Sequence, residues 1–313
     1  MAVTTTTVAK AAQHQEATQR KPINYWPYLF ISPFFILFAI FGLFPYGYAF
    51  VLSFIRWDGL SPTQWVGFSN YTQLFQDDLW WKSVVNTIWL MVVTLINLVI
   101  ALGLAFLLHS GLIRFKEAYR TAFFTPVIAS SVAIAIVFNT IFGLKYGALN
   151  YGLSLLGIGP IDWLQSPDWL KPAIALVVIW RYFGFNTVIY LAGLAAIPTE
   201  LYDAARVDGA SWRTIFFRIT IPLLQPVITF TVILSIIGGM KIFEEPLLLG
   251  GGAFAFSPGG TDQAGLTIMV NLYNTAFKYL QFGYAAAMAV VTFLIIACFS
   301  FVYYRTLGQS SVD

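Results

Sequence analysis

Six stretches of this sequence are long and apolar enough to cross a lipid bilayer, and this restricts the fold more than any other feature. Crossing about 30 Å of hydrocarbon takes about 20 mostly apolar residues in a helix. Inside lipid the backbone must satisfy its own hydrogen bonds, so such runs become helices rather than loops. The runs 23–55, 83–113, 121–144 and 279–304 contain no Asp, Glu, Lys or Arg. A run from about Pro172 to Ala195 is interrupted by Arg181, and one from about Leu223 to Leu247 contains Lys241. The pattern predicts an all-α integral membrane protein with six transmembrane helices. Only 10% of the residues are charged, against about 25% in soluble domains.

An even number of spans puts both termini on one side. The side follows from Lys and Arg in the short loops, which favour the cytoplasm. With the termini inside, Lys10, Arg20, Lys21, Arg114, Lys116, Arg120, Arg206, Arg213, Arg218 and Arg305 are cytoplasmic, ten cations against five outside (Arg56, Lys82, Lys145, Lys171 and Lys278). The expected organisation is a disordered cytoplasmic tail at 1–22, a transmembrane domain at 23–308, and a cytoplasmic loop at 196–222. The tail is Thr-, Ala- and Gln-rich and has no signal-peptide core. The aromatics of 57–82 and 143–171 fit an interfacial belt or a docking surface for an external partner. The Gly-rich stretch 250–265 reads as a flexible external loop.

Several function classes lack support. The net charge of +3 and the absence of a basic run give no reason to expect nucleic acid. Cys298 is the single cysteine, and His14 and His109 lie far apart with no carboxylate cluster beside them, so no metal site or cofactor is expected. No nucleophile–base constellation is present, which argues against a membrane enzyme. No G-x-x-x-x-G-K-[ST] phosphate loop occurs, so the chain is not expected to hydrolyse ATP itself. An ion-gradient-driven secondary transporter would often show internal repeats or midplane carboxylates, and neither is clear.

The loop at 196–222 carries the most specific signal. Pro198 and Thr199 suit a helix start, and Asp208-Gly209 suits its end. Ser211 can cap a second short helix, which Pro222 would close. Within it stand Asp203-Ala204-Ala205, then Gly209 after three residues, then Ile219-Thr220-Ile221-Pro222 after nine more. This spacing resembles the EAA loop of ATP-binding-cassette (ABC) importer permeases, with Asp203 for the usual Glu. By that resemblance Asp203, Ala204, Ala205, Gly209, Ile219 and Pro222 form the docking loop for a cytoplasmic ABC ATPase dimer. Four further segments are similar to carbohydrate-uptake permeases of the maltose type: Val66-Gly67-Phe68-Ser69-Asn70-Tyr71, Asn86-Thr87, Phe243-Glu244-Glu245-Pro246, and Phe282-Gly283-Tyr284-Ala285-Ala286-Ala287. The glycine run after Pro246 departs from the family by continuing as Ala253-Phe254-Ala255-Phe256-Ser257, which reads as a loop insertion.

The resemblance implies the type I ABC importer permease fold in a bacterial-type inner membrane. It implies a second homologous permease, an extracytoplasmic solute-binding protein, surrounding lipid, and a sugar or other polar solute such as a glycerol phosphate. Sugar contacts are then expected midway along the spans flanking the docking loop. Arg181, Tyr182 and Phe185 share one face of the fourth span; Ser235, Gly238, Gly239 and Ile242 share one face of the fifth. The two glycines equally suit close helix packing. Lys241 and Glu245 are four apart on an expected helix and suit an ion pair, structural or along the substrate path.

Overall fold

The computed structural model describes residues 25–109, 115–252 and 257–308. The expected disordered tail at 1–22, Arg114 and the insertion at 253–256 lie outside these residues. Contacts divide the chain into a unit at Met1–Ala49 and a unit at Phe50–Asp313. The first holds most of α1 (Trp26–Leu52), a helix that is apolar on every side and contains a π turn at Ala39–Leu43.

In the second unit a two-residue antiparallel ladder, β1 (Ile55–Arg56) with β2 (Gln64–Trp65), is followed by α2 (Ser69–Gln76). Beside it the Asp58 carboxylate accepts from the Ser61 and Leu60 amides and the Ser61 hydroxyl, which together hold its pKa down to about 2. The long α3 (Asp78–His109) is the central post. Its residues enter all three packed clusters: Leu90 beside Ile174 and Phe138, Met91 beside Met240 and Met288, and Ala101 beside Tyr190 and Leu224. The fourth span is α7 (Pro167–Ala195) and the last is α13 (Phe282–Tyr303). Buried Gly283, Ala286 and Ala287 give α13 a face of small residues. Such faces let helices approach where lipid supplies no hydrophobic drive for association.

Two expected spans are broken. The third is α4 (Lys116–Ile128) and α5 (Ser131–Ile141), bent by 100°. Pro126 lies in the last turn of α4, and Ala129 and Ser130 between the helices are extended. The described residues therefore hold five candidate spans, or six if the bent pair counts as one. The fifth span stops at Met240 and resumes as a short helix, Glu244–Leu249. Pro246 cannot donate to the carbonyl four residues back, and the Thr267 hydroxyl bonds that Ile242 carbonyl instead at 3.0 Å. Lys241 and Glu245 consequently do not share a helix, and the expected pair between them is replaced by one between Glu245 and Arg181.

The connecting segments are packed. Trp80, expected at an interface, is 1% exposed in the cluster with Leu74 and Met288. Phe54 is ringed by Trp65, Phe68 and Tyr71, and Trp163 touches both Phe142 and Trp169. The described part of the glycine-rich stretch is also packed: a Cβ on Gly259 would stand 2.4 Å from the Leu266 amide nitrogen. Asn86 Nδ2 donates to the Gln263 and Leu266 carbonyls, and Thr87 Oγ1 accepts from the Ile268 amide. Asn86-Thr87, quoted above for its resemblance alone, thus pins this segment to α3.

Asn150, in the helix Ala148–Leu155, organises the segment before α7. Its Nδ2 donates to the Leu144 and Ile161 carbonyls, and its Oδ1 accepts from the Ile161 amide and Trp163 Nε1. Asn150→Ala leaves four groups without these partners, at a cost of about 1–3 kcal/mol. The expected result is a lower melting temperature of the purified protein with the wild-type helical signal retained. An unchanged melting temperature contradicts this role.

Candidate functional site: a membrane cavity and a loop corner

The fifth span proper, α10 in the numbering that follows, is Ile221–Met240, and the short helix after its break, α11, is Glu244–Leu249. Before them the helix Ala148–Leu155 is α6, the loop helix Thr199–Val207 is α8 and the turn Trp212–Ile215 is α9; after them Ile268–Tyr273 is α12. A cavity of about 640 Å³ opens between α3, α7, α10 and α11. All seven residues of the expected path line it: Arg181, Tyr182, Phe185, Ser235, Gly238, Gly239 and Ile242. The two glycines differ. A Cβ on Gly238 meets nothing within 4 Å, whereas one on Gly239 would stand 2.9 Å from Met91 Cα and 2.8 Å from Thr94 Oγ1. At Gly239 the missing side chain lets α10 approach α3 closely; Gly238 leaves room in the cavity.

One wall is an ion cluster. Arg181 Nη1 donates to Glu245 Oε1 at 2.7 Å and to Glu244 Oε2 at 3.2 Å, and Nη2 donates to Ser131 Oγ at 2.8 Å. Ser131 in turn donates to Glu244. Arg181 is 7% exposed and Glu245 5%, so each needs the other, because an isolated charge at this depth is costly. The two helix breaks create the cluster. The bend before α5 brings in Ser131, and the break at 241–243 turns the first residues of α11 toward α7. The Arg181 guanidinium also stands 5.4 Å from the Tyr182 ring centroid.

Thr94, Asn97, Asn186, Leu234 and Phe243 also line the cavity and were not among the expected path residues. The available signal was Thr94 and Asn97 in the otherwise apolar stretch 88–108, since polar side chains within a span tend to face protein or water.

At the other end of α7, the corner of the loop is built as its sequence requires. The helix α8 ends in a Schellman motif. The Ala210 amide donates to Ala205 O at 2.9 Å and the Gly209 amide to Arg206 O at 3.1 Å, with Gly209 at φ +73°. The Ser211 hydroxyl accepts from the Thr214 amide and caps α9. Pro222 does not close a second short helix, contrary to expectation. The turn α9 passes through a π turn at Phe216–Thr220 into α10 without a break, and Pro222 occupies the first turn of α10.

Asp203, Ala204, Ala205 and Gly209 gather at the corner, while Ile219 and Pro222 follow on the continuing helix. Asp203 pairs with Arg206 at 3.2 Å, both about 70% exposed, a contact worth little in water. Phe216 packs on Phe106 of α3, and Val207, Trp212 and Phe217 are exposed.

Residues 101–306 match the profile of a family described as binding-protein-dependent transport system inner membrane components. The lactose transport system permease protein LacF of Rhizobium radiobacter is 36% identical over 89% of the chain and 92% of the relative. The arabinooligosaccharides transport system permease protein AraP of Bacillus subtilis is 35% identical over 90% and 88%. A chain in the crystal structure of a bacterial alginate ABC transporter, solved with its pentasaccharide-bound periplasmic protein, has the same fold. It superposes with a TM-score of 0.79 at 22% identity, covering 92% of this chain and 96% of that one.

Proposed function

This chain belongs to the family of binding-protein-dependent transport system inner membrane components, and on that premise we propose that it is the permease subunit of an ATP-driven importer for a sugar or oligosaccharide. The family is one of multi-pass membrane transport components rather than enzymes. Its relatives give the ion-gradient alternative no support. Substrate released by an extracytoplasmic binding protein enters the cavity between α3, α7 and α10, which a second homologous permease closes on its open side. A cytoplasmic ATPase dimer seats the corner of Asp203, Ala204, Ala205 and Gly209.

One observation carries the mechanism. The helix that leaves the corner at Trp212 is the helix that lines the cavity with Ser235, Gly238 and Gly239. A displacement of the corner by the ATPase is therefore delivered to the cavity wall along a single helical rod. An ATP-dependent shift in the access equilibrium needs such differential contacts in its two states.

Deletion of this chain from its host, with complementation, tests the reading through uptake of labelled lactose, arabinobiose and glycerol phosphate. Loss and restoration of neutral-sugar uptake that needs ATP supports it. Uptake of both sugars unchanged by deletion, or driven by an ion gradient alone, overturns it. Orientation has its own test in a Cys298→Ala background. With the termini and the corner in the cytoplasm, an impermeant thiol reagent added outside intact cells labels Ser257→Cys and not Ser211→Cys. Labelling of Ser211→Cys reverses the assignment.

A further inference from the structure

The cavity wall holds two buried polar atoms of opposite hydrogen-bonding sense without partners. Among the described residues, Asn97 Oδ1 and Arg181 Nε make no hydrogen bond. Both side chains line the cavity, and Asn97, on α3, is 1% exposed. Buried polar atoms are nearly always bonded, and those that are not mark a role. Oδ1 of an amide accepts only, and Nε–H of a guanidinium donates only. The groups that answer both are those that donate and accept together, which is the property of a hydroxyl.

The cluster around Arg181 sharpens the chemistry. Its Nη atoms are occupied by Glu244, Glu245 and Ser131. Across the whole lining Arg181 and Lys241 stand against Glu244 and Glu245, so the formal charges cancel. An anionic group placed beside Arg181 would face both carboxylates, and Glu245 is buried, where like charges repel strongly.

We propose that Asn97 is a substrate-contact residue that accepts a hydrogen bond from one hydroxyl of an uncharged carbohydrate, with Arg181 Nε donating within the same polyol, so that the site selects neutral sugars over acidic ones. This rests on the permease reading above and names a contact on α3, outside the two spans that flank the docking corner.

The test is uptake into cells carrying the full transporter. The probes are the labelled neutral disaccharide whose uptake depends on this chain, its monodeoxy analogues, and the corresponding aldobionic acid. Wild type is expected to disfavour one monodeoxy analogue by about tenfold, the worth of one such bond, and to reject the acid. Asn97→Leu is expected to lower uptake of the parent sugar by about the same factor and to treat that analogue and the parent alike, with discrimination at other positions kept. A merely structural role for Asn97 lowers uptake of all analogues in parallel, and that outcome overturns the proposal, as does unchanged discrimination. If Asn97→Leu does not reach the membrane, Asn97→Ser decides on the same panel by the same criterion. Transport of the acid at the rate of the neutral sugar also overturns it while leaving the permease reading intact. Absence of any chain-dependent uptake of a sugar, neutral or acidic, sinks the permease reading as well.

Discussion

Gly238→Trp is expected to reduce transport to background while the protein still reaches the membrane and assembles with its partners. The position faces open space, and a Cβ there meets nothing within 4 Å. An indole can therefore extend into the cavity of about 640 Å³ without displacing a helix. Gly239→Val, one residue on, is expected to fail in the opposite way. Its Cβ would stand 2.9 Å from the Met91 backbone, so α10 must move away from α3, an overpacking cost of about 1–3 kcal/mol. The pair is read by uptake, by membrane level and by thermal stability in detergent. Transport at the wild-type rate in Gly238→Trp removes the cavity from the path. Wild-type stability in Gly239→Val shows that the α3–α10 contact yields easily.

Gly209→Val should leave the protein in the membrane but abolish substrate-stimulated ATP hydrolysis by the assembled complex. At φ +73° a residue with a side chain is strained, by roughly 1–2 kcal/mol and more for a β-branched one. The surrounding space is open, so the cost is in the backbone and not in a clash within the chain. The chain relieves it by opening the Schellman turn, which shifts the start of α9 and with it the rod that reaches the cavity. Gly209→Asn should be much milder, because Asn tolerates the left-handed region. Asp203→Ala should also be mild, since its exposed pair with Arg206 contributes on the order of 0–1 kcal/mol. Co-purification of the ATPase and its stimulation by loaded binding protein measure all three. Full stimulation in Gly209→Val would separate the corner from coupling.

The break at 241–243 gives the fifth span two roles. Below it α10 is a continuous rod from the corner; above it α11 is held to α7 and α5 through Arg181 and Ser131. The three residues between them, Lys241–Phe243, also line the cavity.

How much was legible in the sequence depended on the range of the interactions involved. Membrane spanning follows from local composition, because the bilayer sets both the length and the polarity of a span. The runs 23–55, 83–113 and 279–304 therefore became helices near their expected bounds. The end of α8 at Gly209 and the cap at Ser211 were equally readable, since each is decided by residues within one turn. The helical face joining Ser235, Gly238 and Gly239 followed from periodicity; Ile242, expected on the same face, lies beyond the end of α10 at Met240 but lines the same cavity.

Tertiary structure decided whatever depended on a partner distant in sequence. The broken third span, the exchange of Lys241 for Arg181 as the partner of Glu245, and the different surroundings of two adjacent glycines depend on α7, on Thr267 and on Met91. Asn97 reads in sequence as one polar residue in an apolar run; only packing makes it an unpartnered acceptor in a cavity wall. The physical reason is that lipid rewards every apolar surface alike. Composition therefore fixes that a helix crosses the membrane, and only close packing and buried hydrogen bonds fix where it breaks and which face it turns inward.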